Sequence, residues 1–394
     1  MSRLDTLLQE LCPDGVEFRP LEQCCVILDN KRKPVTKGAR EEGEYPYYGA
    51  NGIQDYVSGY IFDGTFVLVG EDGSVVTPNG NPVVTWAEGK IWVNNHAHII
   101  AEKDGILLRY LFHYIQTINV KPLIHGNIPK LTGGDFKALE IPVPPLEVQR
   151  EIVRILDKFT QLKAELSAEL SARRIQYEQY RDRLLTFGDD VPRYSLGDIA
   201  LVTKLAGFEF TKYVNYSNEG KIIALRGLNV KDGHLVLDDV KYMDNSDFSK
   251  LQRSKLVIGD LLFTYVGTVG QVAMIEENDR FHLAPNVALV RVRNEAVHPR
   301  YLMYYMLSNM FYHSQIDKLM QDSSMKNIPM EKIRLFVIAV PSMDCQKRIV
   351  EILDDFDRLT NSIKIGLPAE IEARTKQYEF YRDKLLSFKR KETS

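Results

Sequence analysis

The 394 residues carry 50 Lys/Arg against 53 Asp/Glu, a formal net charge of −3, and 44% apolar side chains. That much apolar matter excludes a disordered chain, and the near-balanced charge excludes a protein that holds nucleic acid by charge alone. No apolar run approaches the roughly 18 residues of a membrane span. The four cysteines lack CxxC or zinc spacing, which fits reduced core thiols of a cytoplasmic protein.

The chain opens on MSRLDTLLQELCPDG, which has no signal-peptide stretch and reads as a short amphipathic helix. Residues 1–145 form a first predicted domain with 13 basic and 18 acidic side chains. Its cluster Lys31, Arg32, Lys33 and Lys37 suits a phosphate clamp as well as it suits a solvated loop. The runs at 60–70 and 81–102 read as strands and hairpins, with Asn95 just before the last strand and His96 on it. His96 and His98 alternate and should share a face, but no further ligands are evident, so no metal site is expected. An aromatic-rich helix (105–118) leads into HGNIPKL (125–131), which offers His125, Asn127 and Lys130.

Residues 146–187 contain neither Gly nor Pro. Ile152, Ile155, Phe159, Leu162, Leu166 and Leu170 follow one another at steps of three and four. That is the seam of a coiled coil, on a helix of about 60 Å. A second predicted domain (188–342) balances 18 basic against 18 acidic residues. Strand-like runs at 221–230, 259–277 and 285–293 precede another aromatic helix (298–316). Asn286 stands just before the last strand, and Ser323, Ser324, Lys326 and Asn327 flank a second Asn-Ile-Pro. Hydroxyls, amides and single cations on loops are groups that read base edges and phosphates. Residues 343–394 repeat the seam through Ile349, Ile352, Phe356 and Leu359, with Gly366 and Pro368 placed to kink or break the helix.

The copies are explicit at both ends of the helices. VPPLEVQREIVRILDKF (143–159) answers VPSMDCQKRIVEILDDF (340–356), and RIQYEQYRDRLL (174–185) answers TKQYEFYRDKLL (375–386). A displacement near 200 residues is too long for a solenoid repeat and means two copies of a domain-plus-helix unit. The fold class is α+β: two α+β domains separated by two long helices that form an antiparallel coiled coil. Packing of each helix on its own domain, or on another protein's helices, stays open. No GxGxxG, Walker, HExxH or GxSxG motif occurs, so no catalytic residue is assigned.

On the CPDGVEFRPL opening, the two helix starts and ends quoted above, and the domain–helix–domain–helix order, the chain strongly resembles the specificity subunits of type I restriction-modification systems. The tandem KAEL-SAEL at 163–170 resembles the four-residue repeats of some members. The resemblance spans the full length and implies a non-catalytic subunit. Each target-recognition domain would read one half of a bipartite double-stranded DNA site, with the helices setting the spacer. Partners implied are two modification methyltransferase subunits that carry S-adenosylmethionine and methylate flipped adenines. Restriction subunits using ATP and Mg would join them; this chain itself would hold no cofactor. A coiled-coil scaffold without DNA readout is the other reading; it explains the helices but not two polar, loop-bearing β domains.

Overall fold

Each sequence copy folds around the same four-stranded antiparallel sheet, although the strands that build it share little sequence. The computed structural model describes residues 3–73, 75–205, 207–321, 327–361 and 366–392. The chain divides into two units, Met1–Ser167 with Glu370–Ser394 (unit 1) and Ala168–Ala369 (unit 2). The central helix, Leu146–Leu185, contributes to both. Of the C-terminal helices, Met343–Asn361 lies in unit 2, and all but the first turn of Leu367–Leu385 lies in unit 1.

The strands of unit 1 are β1 (Glu17–Pro20), β2 (Val26–Ile27), β3 (Glu42–Gly49), β4 (Gly52–Val57), β5 (Phe62–Gly70), β6 (Val84–Val93), β7 (Ala97–Ala101), β8 (Ile124–His125), β9 (Lys130–Leu131) and β10 (Glu140–Val143). The main sheet runs β2-β7-β5-β6-β3-β4, and only β3 on β6 is parallel. Phe66–Gly70 is buried without alternation because both faces of β5 are covered. Val67 and Val69 face the helices, whereas Phe66 and Leu68 join Phe62, Ile91 and Ile99 in a second core.

The register requires the sheet to curl. Ile91 of β6 pairs with Phe62 at one end of β5, and Ala97 of β7 pairs with Gly70 at the other. A straight β5 would separate those ends by about 26 Å, whereas the six steps from Ile91 to Ala97 span at most about 21 Å. The hairpin must bend around Phe62, Phe66 and Ile91. That bend brings the Asn94–His96 turn onto the strand end at Gly70–Asp72, where Glu71 N–H bonds His96 O at 2.8 Å.

Unit 2 comprises β11 (Arg193–Ser195), β12 (Ala200–Lys204), β13 (Ile223–Leu225), β14 (Val230–Lys231), β15 (His234–Leu235), β16 (Lys241–Tyr242), β17 (Leu261–Thr264), β18 (Val272–Met274), β19 (Phe281–Leu283), β20 (Val287–Val292) and β21 (Val337–Ala339). Its sheet β12-β20-β17-β18 repeats the order β2-β7-β5-β6. An antiparallel ribbon closes each domain at its helix: β1 on β10 in unit 1, β11 on β21 in unit 2.

Helix packing differs from the sequence expectation in two respects. The first three turns of each long helix belong to a domain core. Val148, Ile152 and Leu156 are buried in unit 1, and Ile349, Val350 and Leu353 in unit 2. Beside and beyond them, Ile155, Phe159, Leu162, Leu166 and Leu170 are half-buried. Phe159 stacks on Tyr381 within unit 1 (5.5 Å between ring centres), and Phe356 stacks on Tyr180 within unit 2 (5.4 Å). An early residue of the central helix thus meets a late C-terminal one and the reverse, the order of antiparallel pairing. Ile352 and Phe356 are half-buried, but the expected seam residue Leu359 is 39% exposed. At 3.6 residues per turn the stripe anchored by Ile349 returns after eleven residues, at Thr360, rather than after ten. Thr360 is fully buried, and its hydroxyl bonds Phe356 O at 2.9 Å. Met343–Asn361 ends before Gly366, and the next helix starts at Leu367, with Pro368 in its first turn, where its missing N–H costs nothing.

All four cysteines are free, and burial pushes the Cys24 and Cys25 thiols up to about 11 and 12. No helix among the described residues is long and apolar enough to cross a membrane.

One buried group couples the stability of unit 2 to pH. His282 of β19 lies against the Phe248 ring with its Nδ1 2.9 Å from Ser254 Oγ. Burial, aided by the Lys255 charge, lowers its pKa to about 4. Since the unfolded chain binds that proton near pH 6.5, its contribution is complete above 6.5 and is lost as pH falls toward 4. Denaturant unfolding between pH 6.5 and 4 should weaken with a one-proton slope, about 1.4 kcal/mol per pH unit. His282→Asn should remove that slope; an unchanged slope would refute the assignment.

Candidate nucleic-acid interface

The bend in unit 1 gathers most of the expected contact residues onto one sheet end. Glu71 N–H bonds His96 O at 2.8 Å, Leu131 N–H bonds Glu71 O at 2.8 Å, and Gly73 N–H bonds Pro129 O at 2.9 Å. The loops carrying Asn95, His96 and Lys130 are therefore stitched to one strand end by backbone bonds. Lys130 Nζ lies 3.2 Å from Glu71 Oε1, and His96 pairs with Asp72. His125, Asn127, Ile128 and Pro129 are all exposed, Ile128 at 69%. His125 approaches Asp135 at 3.5 Å. Lys31 and Lys33 are exposed, and Lys33 O accepts the Trp92 indole N–H at 2.6 Å.

Arg32 does not behave as its neighbours do. The expectation that it clamps phosphate meets a side chain only 12% exposed and fully engaged within the protein. Its Nε donates to Asp29 O at 2.9 Å, and its NH1 donates to Glu71 Oε2 at 2.5 Å and Ala97 O at 2.6 Å. Asp29 in turn accepts from His98 Nδ1 at 2.6 Å and from Ile99 N–H at 2.9 Å. Burial raises the Asp29 pKa, but His98, the Ile99 amide and Arg32 outweigh it and hold the carboxyl below its ordinary value. Arg32 is a structural tie beneath the surface that Lys130 and His96 present.

The histidines also part company. His96 lies in the turn before β7, whereas His98 is within β7, 1% exposed and stacked on Phe136. The expected shared face fails because the strand starts only at Ala97. Among the described residues, Asp29, Glu71 and His98 form the only group with metal-ligand chemistry. The Arg32 guanidinium already supplies that group's positive charge.

Unit 2 uses the same stitch with other side chains. Ile328 N–H bonds Tyr265 O at 2.9 Å, as Leu131 bonds Glu71, and Val266 bridges Asn327 as Asp72 bridges Lys130. This register corrects the expected equivalence of the Asn-Ile-Pro tripeptides. Ile128 is exposed and Ile328 fully buried, so Ile328 answers Leu131, three residues further on. Asn327, the counterpart of Lys130, is exposed. Asn286 is exposed in a left-handed turn (φ 69°) before β20, a conformation Asn tolerates. Ser323, Ser324 and Lys326 lie outside the described residues.

The structure adds residues that sequence reading passed over. Lys204 Nζ stands 5.4 Å from the Tyr265 ring centre at this sheet end. Beside Asn286 and Val266 a cleft of about 460 Å³ is lined by Phe210, Tyr216, Arg226 and Thr268. Arg226 NH2 is held by Asp239, while its buried Nε has no partner among the described residues. The signal that could have found Tyr265 is positional: it follows the fully buried run of β17 as Glu71 follows that of β5.

A family model described as the type I restriction modification DNA specificity domain matches the chain twice, at residues 13–173 and 189–373. A putative type I restriction enzyme specificity subunit of Haemophilus influenzae is 33% identical over 393 residues, covering 97% of this chain and 98% of its own. The EcoR124I/EcoR124II specificity subunit of Escherichia coli is 32% identical over 313 residues, 74% of each chain. Among solved structures, the S subunit of a type I restriction-modification system from M. genitalium shares the fold. Its TM-score is 0.55 at 13% identity, over 94% of this chain and 96% of that one. A chain solved in work on complex assembly and conformational transition of the type I R-M system has a TM-score of 0.54 at 15% identity, over 95% and 98%.

Proposed function

Given that this chain belongs to the family of type I restriction-modification DNA specificity domains, which it carries twice, we propose that each unit reads one half of a split duplex target. The observation that carries this reading is one sheet end built twice by the same backbone stitch and furnished differently. Unit 1 presents Lys130, His96 and Asn95; unit 2 presents Asn327, Asn286 and Lys204, the last standing over the buried Tyr265 ring. Identical scaffolds with unlike polar surfaces suit two unlike half-sites.

The chain contributes recognition and no chemistry. Two modification subunits supply S-adenosylmethionine and methylate adenines in the cytoplasm, and restriction subunits supply ATP-driven, Mg-dependent cleavage. Exposed side chains of the helices are their docking surfaces, Tyr381 in unit 1 and Tyr180 in unit 2 among them.

Mapping methylated adenines at base resolution, after mixing the chain with its methyltransferase subunits, tests this directly. The expected motif is two unlike half-sites around unspecified bases; a palindromic or uninterrupted motif would sink the reading. Lys130→Ala should weaken binding to all sequences alike and lower the salt slope by about 1, as a phosphate contact does. Asn127→Ala should relax or weaken only the half-site read by unit 1. Unchanged affinity and salt dependence in both variants would make that loop purely structural.

A further inference from the structure

The start of each long helix carries one fully buried amide, and the two amides make the same bonds. In unit 1, Gln149 Oε1 accepts Leu107 N–H at 2.9 Å, and its Nε2 donates to Gly105 O at 3.2 Å and Pro144 O at 2.8 Å. In unit 2, Gln346 Oε1 accepts His298 N–H at 2.8 Å, and its Nε2 donates to Ala296 O at 2.7 Å and Pro341 O at 2.8 Å. Leu107 and His298 are the N-cap residues of the aromatic helices Leu108–Ile115 and Pro299–Leu307. A single side chain thus joins the reading domain's own helix, the strand that leaves the domain and the long helix that follows.

Eight residues on, a second tie repeats. Arg109 Nε donates to Asp157 Oδ1 at 2.7 Å, and Arg300 Nε donates to Asp354 Oδ1 at 2.6 Å. One tie would leave a swivel. Two ties about 12 Å apart along the axis set an angle. The second partner of each aspartate differs: His113 Nε2 at 2.9 Å in unit 1, the Tyr304 hydroxyl at 2.5 Å in unit 2. The geometry is shared where these partners are not.

Apolar side chains of similar volume would bury as well at positions 149 and 346, though they would leave the Leu107 and His298 N–H groups without an acceptor. What they cannot do is select one orientation, because apolar contact is non-directional and three hydrogen bonds are not. We propose that Gln149 and Gln346 are positioning residues that fix the angle at which each reading unit stands on its helix. Through that angle they hold the gap between half-sites to one length. This rests on the split-target reading above.

The test uses the full chain in complex with its methyltransferase subunits, with gap length read from methylated sites across a library of spacers. Wild type should direct methylation at one gap. Gln149→Leu and Gln346→Leu should each spread it over at least two adjacent gaps, with both half-site sequences unchanged, and the double variant should spread it further. Loss of stability alone would lower yield at every gap without changing the distribution. Arg109→Lys, which leaves the buried amide in place and weakens the second tie together with the stacking on Trp86 and Phe112, covers the case in which a leucine variant does not fold. It should broaden the gap as well. Folded variants that keep the gap as strictly as wild type overturn the proposal. A wild-type chain that directs methylation to no split motif overturns the reading of function, and the proposal with it.

Discussion

Inserting a further Ser-Ala-Glu-Leu after Leu170 is expected to lengthen the unspecified gap by one or two base pairs and leave both half-sites as they were. Four residues add about 6 Å to a helix, against roughly 3.4 Å per base along one DNA strand. The insertion point falls where the helix is least committed. Leu156 is the last residue of the central helix in the core of unit 1, and Tyr177 the first in the core of unit 2. Between them the helix is mostly exposed, with Leu166 and Leu170 only half-buried. Four residues overshoot one turn by about 40°, a stutter that pairing of this kind absorbs. The C-terminal helical segments are also interrupted at Gly366, so no single partner helix has to stretch. Methylation mapping of the insertion variant decides the matter. The original gap at full activity would show that the central helix does not measure distance.

Removing Arg32 should cost about 3–5 kcal/mol of folding stability in unit 1, the price of breaking a buried ion pair from one side. Arg32→Ala would strand the Glu71 carboxylate, only 11% exposed, with Lys130 as its remaining cation, and would remove the guanidinium donors to Ala97 O and Asp29 O. Arg32→Lys should recover little, because an ammonium cannot replace three donors directed from a planar fork. Denaturant unfolding of the full chain, followed by amide exchange to separate the two units, should show unit 1 opening early and unit 2 unchanged. Two outcomes are distinguishable. Loss of DNA affinity at wild-type stability would make Arg32 a phosphate contact after all; loss of stability makes it the support of the surface that Lys130 and His96 form.

Arg32 illustrates how sequence reading reached its limit. Three consecutive basic residues look alike in sequence, and charge makes any of them a candidate for phosphate. Which one turns inward depends on Glu71 and Ala97, tens of residues away, meeting it across the curled sheet. The Asn-Ile-Pro repeat misled for a related reason. The tripeptide recurs, but Leu131 and Ile328 hold equivalent places because their backbones pair with the strand ends at Glu71 and Tyr265. Side-chain identity can drift by three residues under such a constraint, since the ladder is made by main-chain groups that every residue carries.

The helices behaved differently. Their period, their lack of Gly and Pro over 146–187, and the break near Gly366 were legible because helix formation is local and its apolar stripe repeats every three or four residues. Duplication was legible too, at Gln149 and Gln346 as much as at the tyrosines, because those segments kept their residues. What the linear chain could not supply was the direction of the stripe. Val148, Ile152 and Leu156 turn it into the domain core, and Thr360 rather than Leu359 continues it in the second copy. Two domain-plus-helix copies, an α+β class and loops rich in polar side chains can be read along the chain. Tertiary structure alone decided which of those side chains share a surface, because strand order, sheet curl and helix burial are set by contacts between residues far apart in the chain.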